Sequence, residues 1–135
     1  MKVVFADTSY WVALLDPNDS LHEKAIATSK GLGKVRQLTT EMVLDELMAA
    51  LSQLPVRALV TRGVEAIRAN PNVEVVPQTS IQFREAFELY KRMADKEWSL
   101  TDCASFELMR ARGISEALAH DRHFEQAGLV ALLRS

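Results

Sequence analysis

Two aspartates stand where an apolar, strand-like run meets the start of a helix. Residues 3–6 read Val-Val-Phe-Ala and are followed by Asp7, and residues 116–119 lead through one histidine to Asp121. Parallel strands of an α/β sheet end at the same edge, where ligands bind, so the two carboxylates are predicted to emerge side by side. Aspartate is also a favoured helix N-cap. Position alone therefore leaves both a capping and a catalytic role open.

Two further carboxylates are predicted to face inward. In the periodic segment 40–54, Glu46 lies about 60° from Val43 on the flank of the apolar stripe, whereas Asp45 points nearly opposite, towards water. A carboxylate at the edge of a core must be paired, protonated or bound to a cation. Asp102 closes the group Ser99-Leu100-Thr101-Asp102, which has the form of a capping box and holds the carboxylate near the positive end of a helix dipole. A salt bridge for Glu46 and simple capping for Asp102 stay open.

Four inward carboxylates with no cationic neighbour in the sequence would raise one another's pKa, and a divalent cation would relieve the repulsion. Oxygen-only ligation suits Mg²⁺ or Mn²⁺, and such ions activate water against phosphodiesters. The histidines at 120 and 123 suggest zinc, but they lack the four-residue separation of the usual paired ligands. We therefore expect these histidines, and His22, to be exposed or hydrogen-bonded.

Composition restricts the function classes. The 135 residues, 48% hydrophobic and 25% charged, fit one ordinary globular domain spanning 1–135. The single cysteine fits a reducing cytosol, and no run resembles a signal peptide or membrane span, which predicts a cytoplasmic protein. A net charge of −2 excludes a broad basic surface. Any nucleic-acid contact must be local, and the candidate basic positions are Arg57, Arg62, Arg68, Arg110, Arg112 and Arg122.

Strands and helices are predicted to alternate. The predicted strands are 3–6, 35–39, 73–77, 116–119 and 129–133, and the predicted helices are 9–15, 20–31, 40–54, 56–69, 80–96, 100–112 and 122–127. In helix 40–54 the buried stripe is expected to contain Val43, Leu47, Ala50, Leu51 and Leu54. This alternation predicts a three-layer α/β/α fold around a central, mostly parallel sheet.

The chain resembles PIN domains of the VapC toxin type over essentially its full length. The resemblance rests on the order and spacing of five stretches, each weak alone: Asp7-Thr8-Ser9, Ala13 to Asp16 with His22-Glu23, the helix pair around Glu46, Ser99 to Asp102, and Asp121 to Phe124 before Ala127-Gly128. One departure is Ala119, where many members have threonine. This departure puts one supporting hydrogen bond in doubt.

The resemblance implies a metal-dependent endoribonuclease in which Asp7, Glu46, Asp102 and Asp121 hold Mg²⁺ or Mn²⁺, with Asp7 and Asp102 as the foremost direct ligands. It also implies a homodimer that a small antitoxin protein neutralises. Thr8 and Ser99 are expected to orient the carboxylates. The alternative is a catalytically weak PIN-like scaffold that binds an antitoxin or RNA.

Phosphotransfer domains fit the sequence less well. A receiver domain needs a phospho-accepting aspartate after its third strand, and the strand at 73–77 ends without one. An aspartate-nucleophile phosphatase needs a second aspartate two residues after the first, and Ser9 occupies that place.

Overall fold

The computed structural model describes residues 1–134. Five strands alternate with seven α-helices, and a short 3₁₀ helix, Leu132–Arg134, follows the last strand. The strands are β1 (Val3–Ala6), β2 (Arg36–Thr40), β3 (Val73–Val76), β4 (Glu116–Leu118) and β5 (Val130–Ala131). The helices are α1 (Thr8–Leu15), α2 (His22–Leu32), α3 (Glu41–Ala50), α4 (Leu54–Ala69), α5 (Ser80–Arg92), α6 (Leu100–Arg112) and α7 (Arg122–Gln126).

The five strands form one sheet in the order β3-β2-β1-β4-β5, and every neighbouring pair is parallel. Helices flank this sheet on both faces, so the predicted three-layer α/β/α fold is confirmed, with a sheet that is wholly parallel. β1 lies at the centre because its residues are apolar enough to be covered on both sides: Val4, Phe5 and Ala6 are fully buried. The register pairs Ala6 with Leu118, so β1 and β4 end together.

One predicted helix was too long, and part of its buried stripe was wrong. α3 ends at Ala50, which is exposed, and Leu54 is 88% exposed in the first turn of α4. Leu51 caps α3 and is buried, as are Val43 and Leu47. Pro55 does not terminate α3 but lies in the first turn of α4, where its missing N–H costs nothing.

Most other boundaries shift by one or two residues, and α5 and β5 show the clearest remaining differences. α5 ends at Arg92 rather than at residue 96, and β5 has two residues because the chain turns into the 3₁₀ helix after Ala131. Cys103 is a buried free thiol in the core. Among residues 1–134, no helix is both long enough and apolar enough to cross a membrane.

Candidate metal centre

Asp7 lies at the carboxyl end of the central strand. Its backbone N–H donates to the carbonyl of Leu118 at 3.1 Å, which ties the end of β1 to the end of β4. Its side chain caps α1, since Oδ2 accepts from Ser9 Oγ at 3.1 Å and from Ser9 N at 3.4 Å. Ser9 Oγ in turn accepts from the backbone N–H of His120 at 3.2 Å. Ser9 therefore joins the two strand ends and holds the Asp7 carboxylate between them.

Asp102 enters the same region from the first turn of α6. The predicted capping box is present: Ser99 Oγ accepts from Asp102 N at 3.0 Å, and Asp102 Oδ2 accepts from Ser99 N at 3.1 Å. The residue is 8% exposed. Its side chain is thus fixed by the helix start, and Asp102 Oδ2 also lies 3.1 Å from His123 Nδ1.

Asp121 caps α7 and completes a compact group. Its Oδ1 accepts from the backbone N–H of His123 at 2.9 Å, and its Oδ2 lies 3.1 Å from His123 Nδ1. One ligand atom from each of Asp102, Asp121 and His123 lies within 4.8 Å of the others. The structure therefore brings the two aspartates together, with an imidazole between them.

Glu46 lies outside this compact group but is bound to the first turn of α1. Thr8 Oγ1 donates to Glu46 Oε1 at 2.7 Å, so the residue next to Asp7 orients this carboxylate. Asp45 is exposed, and Glu46 is only partly exposed, as the helical periodicity predicted. No salt bridge links Glu46 to a cationic side chain in the described part of the chain.

The electrostatics of the site disfavour ionised carboxylates when no cation is present. Burial, followed by repulsion from Asp102, raises the pKa of Asp7 from 3.8 to about 7. Burial also raises the pKa of Asp102, and Asp121 adds repulsion that hydrogen bonds from Ser99 and His123 only partly offset. Two buried acids with raised pKa values are typical of a functional site.

The donor set fits a hard divalent cation. Carboxylate oxygens predominate and imidazole nitrogen is a minority donor, which suits Mg²⁺ or Mn²⁺ better than a tetrahedral zinc site. A bound cation would favour the ionised form of both carboxylates and so oppose the burial and the repulsion that raise their pKa values. Asp102, Asp121 and His123 therefore fit a metal ion by their chemistry and their spacing.

His123 is hydrogen-bonded, as expected from the sequence, but the sequence did not show that its partners are Asp102 and Asp121. The available signal was its position two residues after the cap Asp121. The sequence also did not show that Ser9 joins β1 to β4. Of the candidate basic residues, Arg110 and Arg112 lie at the opposite end of α6 from Asp102 and pair with Glu107 and Glu74.

Comparison with known proteins identifies the family. The PIN domain model matches residues 4–129. The 23S rRNA-specific endonuclease VapC20 of two Mycobacterium tuberculosis strains is 34% identical over 132 residues, which cover 95% of this chain and 96% of the relative.

Solved structures agree. The crystal structure of Mycobacterium tuberculosis VapC20, described as a Sarcin-Ricin loop cleaving toxin, matches with a TM-score of 0.86 and 31% identity over 94% of this chain and 96% of that chain. FitAcB from Neisseria gonorrhoeae shares the fold, with a TM-score of 0.62 and 15% identity over 95% of both chains. The chain therefore belongs to the PIN domain family, with a VapC-type endonuclease toxin as a full-length relative.

Proposed function

We propose that this chain is a metal-dependent endoribonuclease that hydrolyses RNA phosphodiester bonds and is the toxin of a toxin–antitoxin pair. The observation that carries the proposal is the compact group of Asp102, Asp121 and His123, with the buried Asp7 carboxylate near enough for Asp102 to repel it and raise its pKa. Full-length similarity to a 23S rRNA-specific endonuclease supports RNA as the substrate. Residues 1–135 form a single PIN-like domain that acts in the cytoplasm.

The four acidic residues have two kinds of task in this proposal. Asp7 and Asp102 hold Mg²⁺ or Mn²⁺ directly, and Asp121 and Glu46 complete the pocket or act through water. When bound, the ion supplies a water of lowered pKa and positive charge beside the phosphate. A carboxylate that does not bind the ion directly, Asp121 or Glu46, would accept the proton released by the attacking water.

Hydroxyl groups next to the carboxylates hold them in place. Thr8 donates to Glu46, Ser9 donates to Asp7, and Ser99 fixes the start of the helix that carries Asp102. Ser9 also accepts a hydrogen bond from the backbone N–H of His120. His120 follows Ala119, the position at which many members of the resembled type have threonine. These contacts set the carboxylate positions before RNA arrives.

The partners follow from the family and its relatives. We infer that the substrate is a ribosomal RNA, because the relative VapC20 is a 23S rRNA-specific endonuclease. We also infer that two copies form a homodimer and that a small antitoxin protein neutralises it, as the resemblance to VapC-type toxins implies.

The test compares neighbouring acidic residues. Purified wild type should cleave 23S rRNA in Mn²⁺ or Mg²⁺ and lose this activity when the metal is chelated. Asp7→Asn and Asp102→Asn should lose cleavage with circular dichroism unchanged, since both carboxylates are buried at the site. The matched pair is Glu46→Gln, which should lose most activity, against Asp45→Asn, which should keep it because Asp45 is exposed.

Cleavage by both aspartate variants, or cleavage without metal, would refute the assignment. If wild type neither binds Mn²⁺ by calorimetry nor cleaves any RNA, the chain is instead a scaffold that binds an antitoxin or RNA.

A further inference from the structure

Three aromatic side chains of this protein are exposed, and all three lie on α5. Phe83 is 46% exposed, Phe87 is 43% exposed and Tyr90 is 49% exposed. The spacing i, i+4, i+7 places them on one helix face. The remaining six aromatic residues are buried: Phe5, Tyr10, Trp11, Trp98, Phe106 and Phe124. The core therefore does not use these three rings, although it uses every other aromatic ring of the chain.

The exposed rings line a groove that continues to the start of α6. This groove, of about 500 Å³, is lined by the three rings together with Lys96, Trp98 and Ser99, among others. Ser99 is the residue that caps α6 and binds Asp102. The aromatic groove and the carboxylate centre thus meet at a single residue.

Cationic groups accompany the rings. Lys91 Nζ lies 5.0 Å from the centroid of the Phe87 ring, and Lys96 lines the groove itself. One acidic residue, Glu97, also lines the groove. Lys91 also pairs with Glu88, and Lys96 with Asp95, but the carboxylate partners are 61% and 71% exposed, so the ion pairs hold the lysines weakly. Both lysines are therefore able to exchange these carboxylates for phosphate groups.

Phosphate contacts alone would bind RNA poorly here. The net charge is −2, and the carboxylate centre adds local negative charge beside the scissile position. Stacking of bases on aromatic rings is little affected by charge, and it is the usual way in which proteins bind unpaired RNA. An exposed aromatic groove beside an acidic centre supplies the binding energy that the charge distribution lacks.

We propose that the groove formed by Phe83, Phe87 and Tyr90 binds unpaired bases next to the cleaved phosphodiester by stacking, with Lys91 and Lys96 contacting the adjoining phosphates. This inference rests on the proposed ribonuclease function and adds to it a base-binding surface beside the carboxylate centre, formed by the exposed rings of α5. Bases in a duplex are already stacked on one another and leave no face for the rings.

RNA binding can be measured separately from cleavage in the Asp102→Asn background. In that background, Phe87→Ala and Tyr90→Ala should each weaken binding of a single-stranded RNA oligomer by about 5-fold to 100-fold, measured by fluorescence anisotropy. Tyr90→Phe keeps the ring and should bind like its parent. Ile81→Ala is the matched control, because Ile81 is 60% exposed on the same helix but lies outside the groove.

A second readout reports stacking itself. A fluorescent purine analogue in the oligomer should lose emission on binding the Asp102→Asn protein and keep it with the added Phe87→Ala change. Equal binding by ring-containing and ring-less variants would overturn this inference alone, whereas no RNA binding by the parent would overturn the ribonuclease proposal as well. Loss of a dimer in the Phe87→Ala variant, seen by light scattering, would instead make this face an interface between two copies and would also overturn the inference.

Discussion

Replacing Asp7 by asparagine should stabilise the metal-free protein at neutral and alkaline pH. The carboxylate is 5% exposed, and burial raises its pKa from 3.8 to about 7. A raised carboxyl pKa means that the folded state holds the proton more tightly than the unfolded chain does. The associated stability is complete below pH 3.8 and is lost as the pH rises through about 7.

The magnitude follows from the two pKa values. At about 1.36 kcal/mol per unit, ionisation of Asp7 costs the folded state ~4 kcal/mol near pH 8 and roughly 2 kcal/mol near pH 5. The loss between these two conditions is therefore about 2.5 kcal/mol. Asparagine has the same shape, keeps an oxygen that can accept from Ser9, and does not ionise. The stability of Asp7→Asn should lack this part of the pH dependence.

The assay is urea unfolding of both proteins with a chelator present, followed by circular dichroism between about pH 5 and pH 8. The difference in unfolding free energy between Asp7→Asn and wild type should grow with pH. Saturating Mn²⁺ should reverse the order, because binding to the folded state stabilises only the protein that keeps the ligand. Parallel pH profiles for the two proteins would refute the reasoning, since they would mean that the pKa of Asp7 is not raised in the folded state.

Two further pairs of substitutions, each with its control, test the hydrogen bonds that support the fold and the site. Thr39→Val removes a fully buried hydroxyl that accepts a hydrogen bond from the Trp11 indole N–H at 3.3 Å. Urea unfolding should show that this change lowers the free energy of unfolding by about 1–3 kcal/mol. Thr61→Val, on the surface of α4, is the control and should change it little. Ser99→Ala and Thr79→Ala each remove a helix N-cap and should each cost about 1 kcal/mol, but only the change at Ser99 should also weaken Mn²⁺ binding by calorimetry.

The sequence predicts the fold well because its signals are local. The strand at 3–6 is confirmed residue for residue, as is the helix at 100–112 with its cap Ser99 and its terminal Gly113. Gly113 has φ +66°, a backbone conformation that favours glycine, so the sequence itself indicates where this helix ends. The family resemblance and the three-layer fold are confirmed for the same reason.

The errors arise where tertiary contacts override local pattern. Leu54 continues the apolar period of α3, but the helix is interrupted at residues 52–53. Leu54 is therefore an exposed residue at the start of the next helix. His123 finds its second carboxylate 21 residues away, and Ser9 bonds to a backbone N–H 111 residues away. Periodicity carries no information on such distant contacts, so the carboxylates could be predicted while the groups that hold them could not.

The pairing of β1 with β4 has a consequence for a chain emerging from the ribosome. Asp7 and Glu46 leave the exit tunnel early, but Asp102, Asp121 and the hydrogen bond from His120 to Ser9 exist only after most of the chain has been synthesised. Since domains assemble once their long-range contacts can form, a partly translated chain holds no complete site. A chain that lacks α6 and β4 therefore cannot form the contacts that hold Asp7 between the two strand ends or place Asp102 near it.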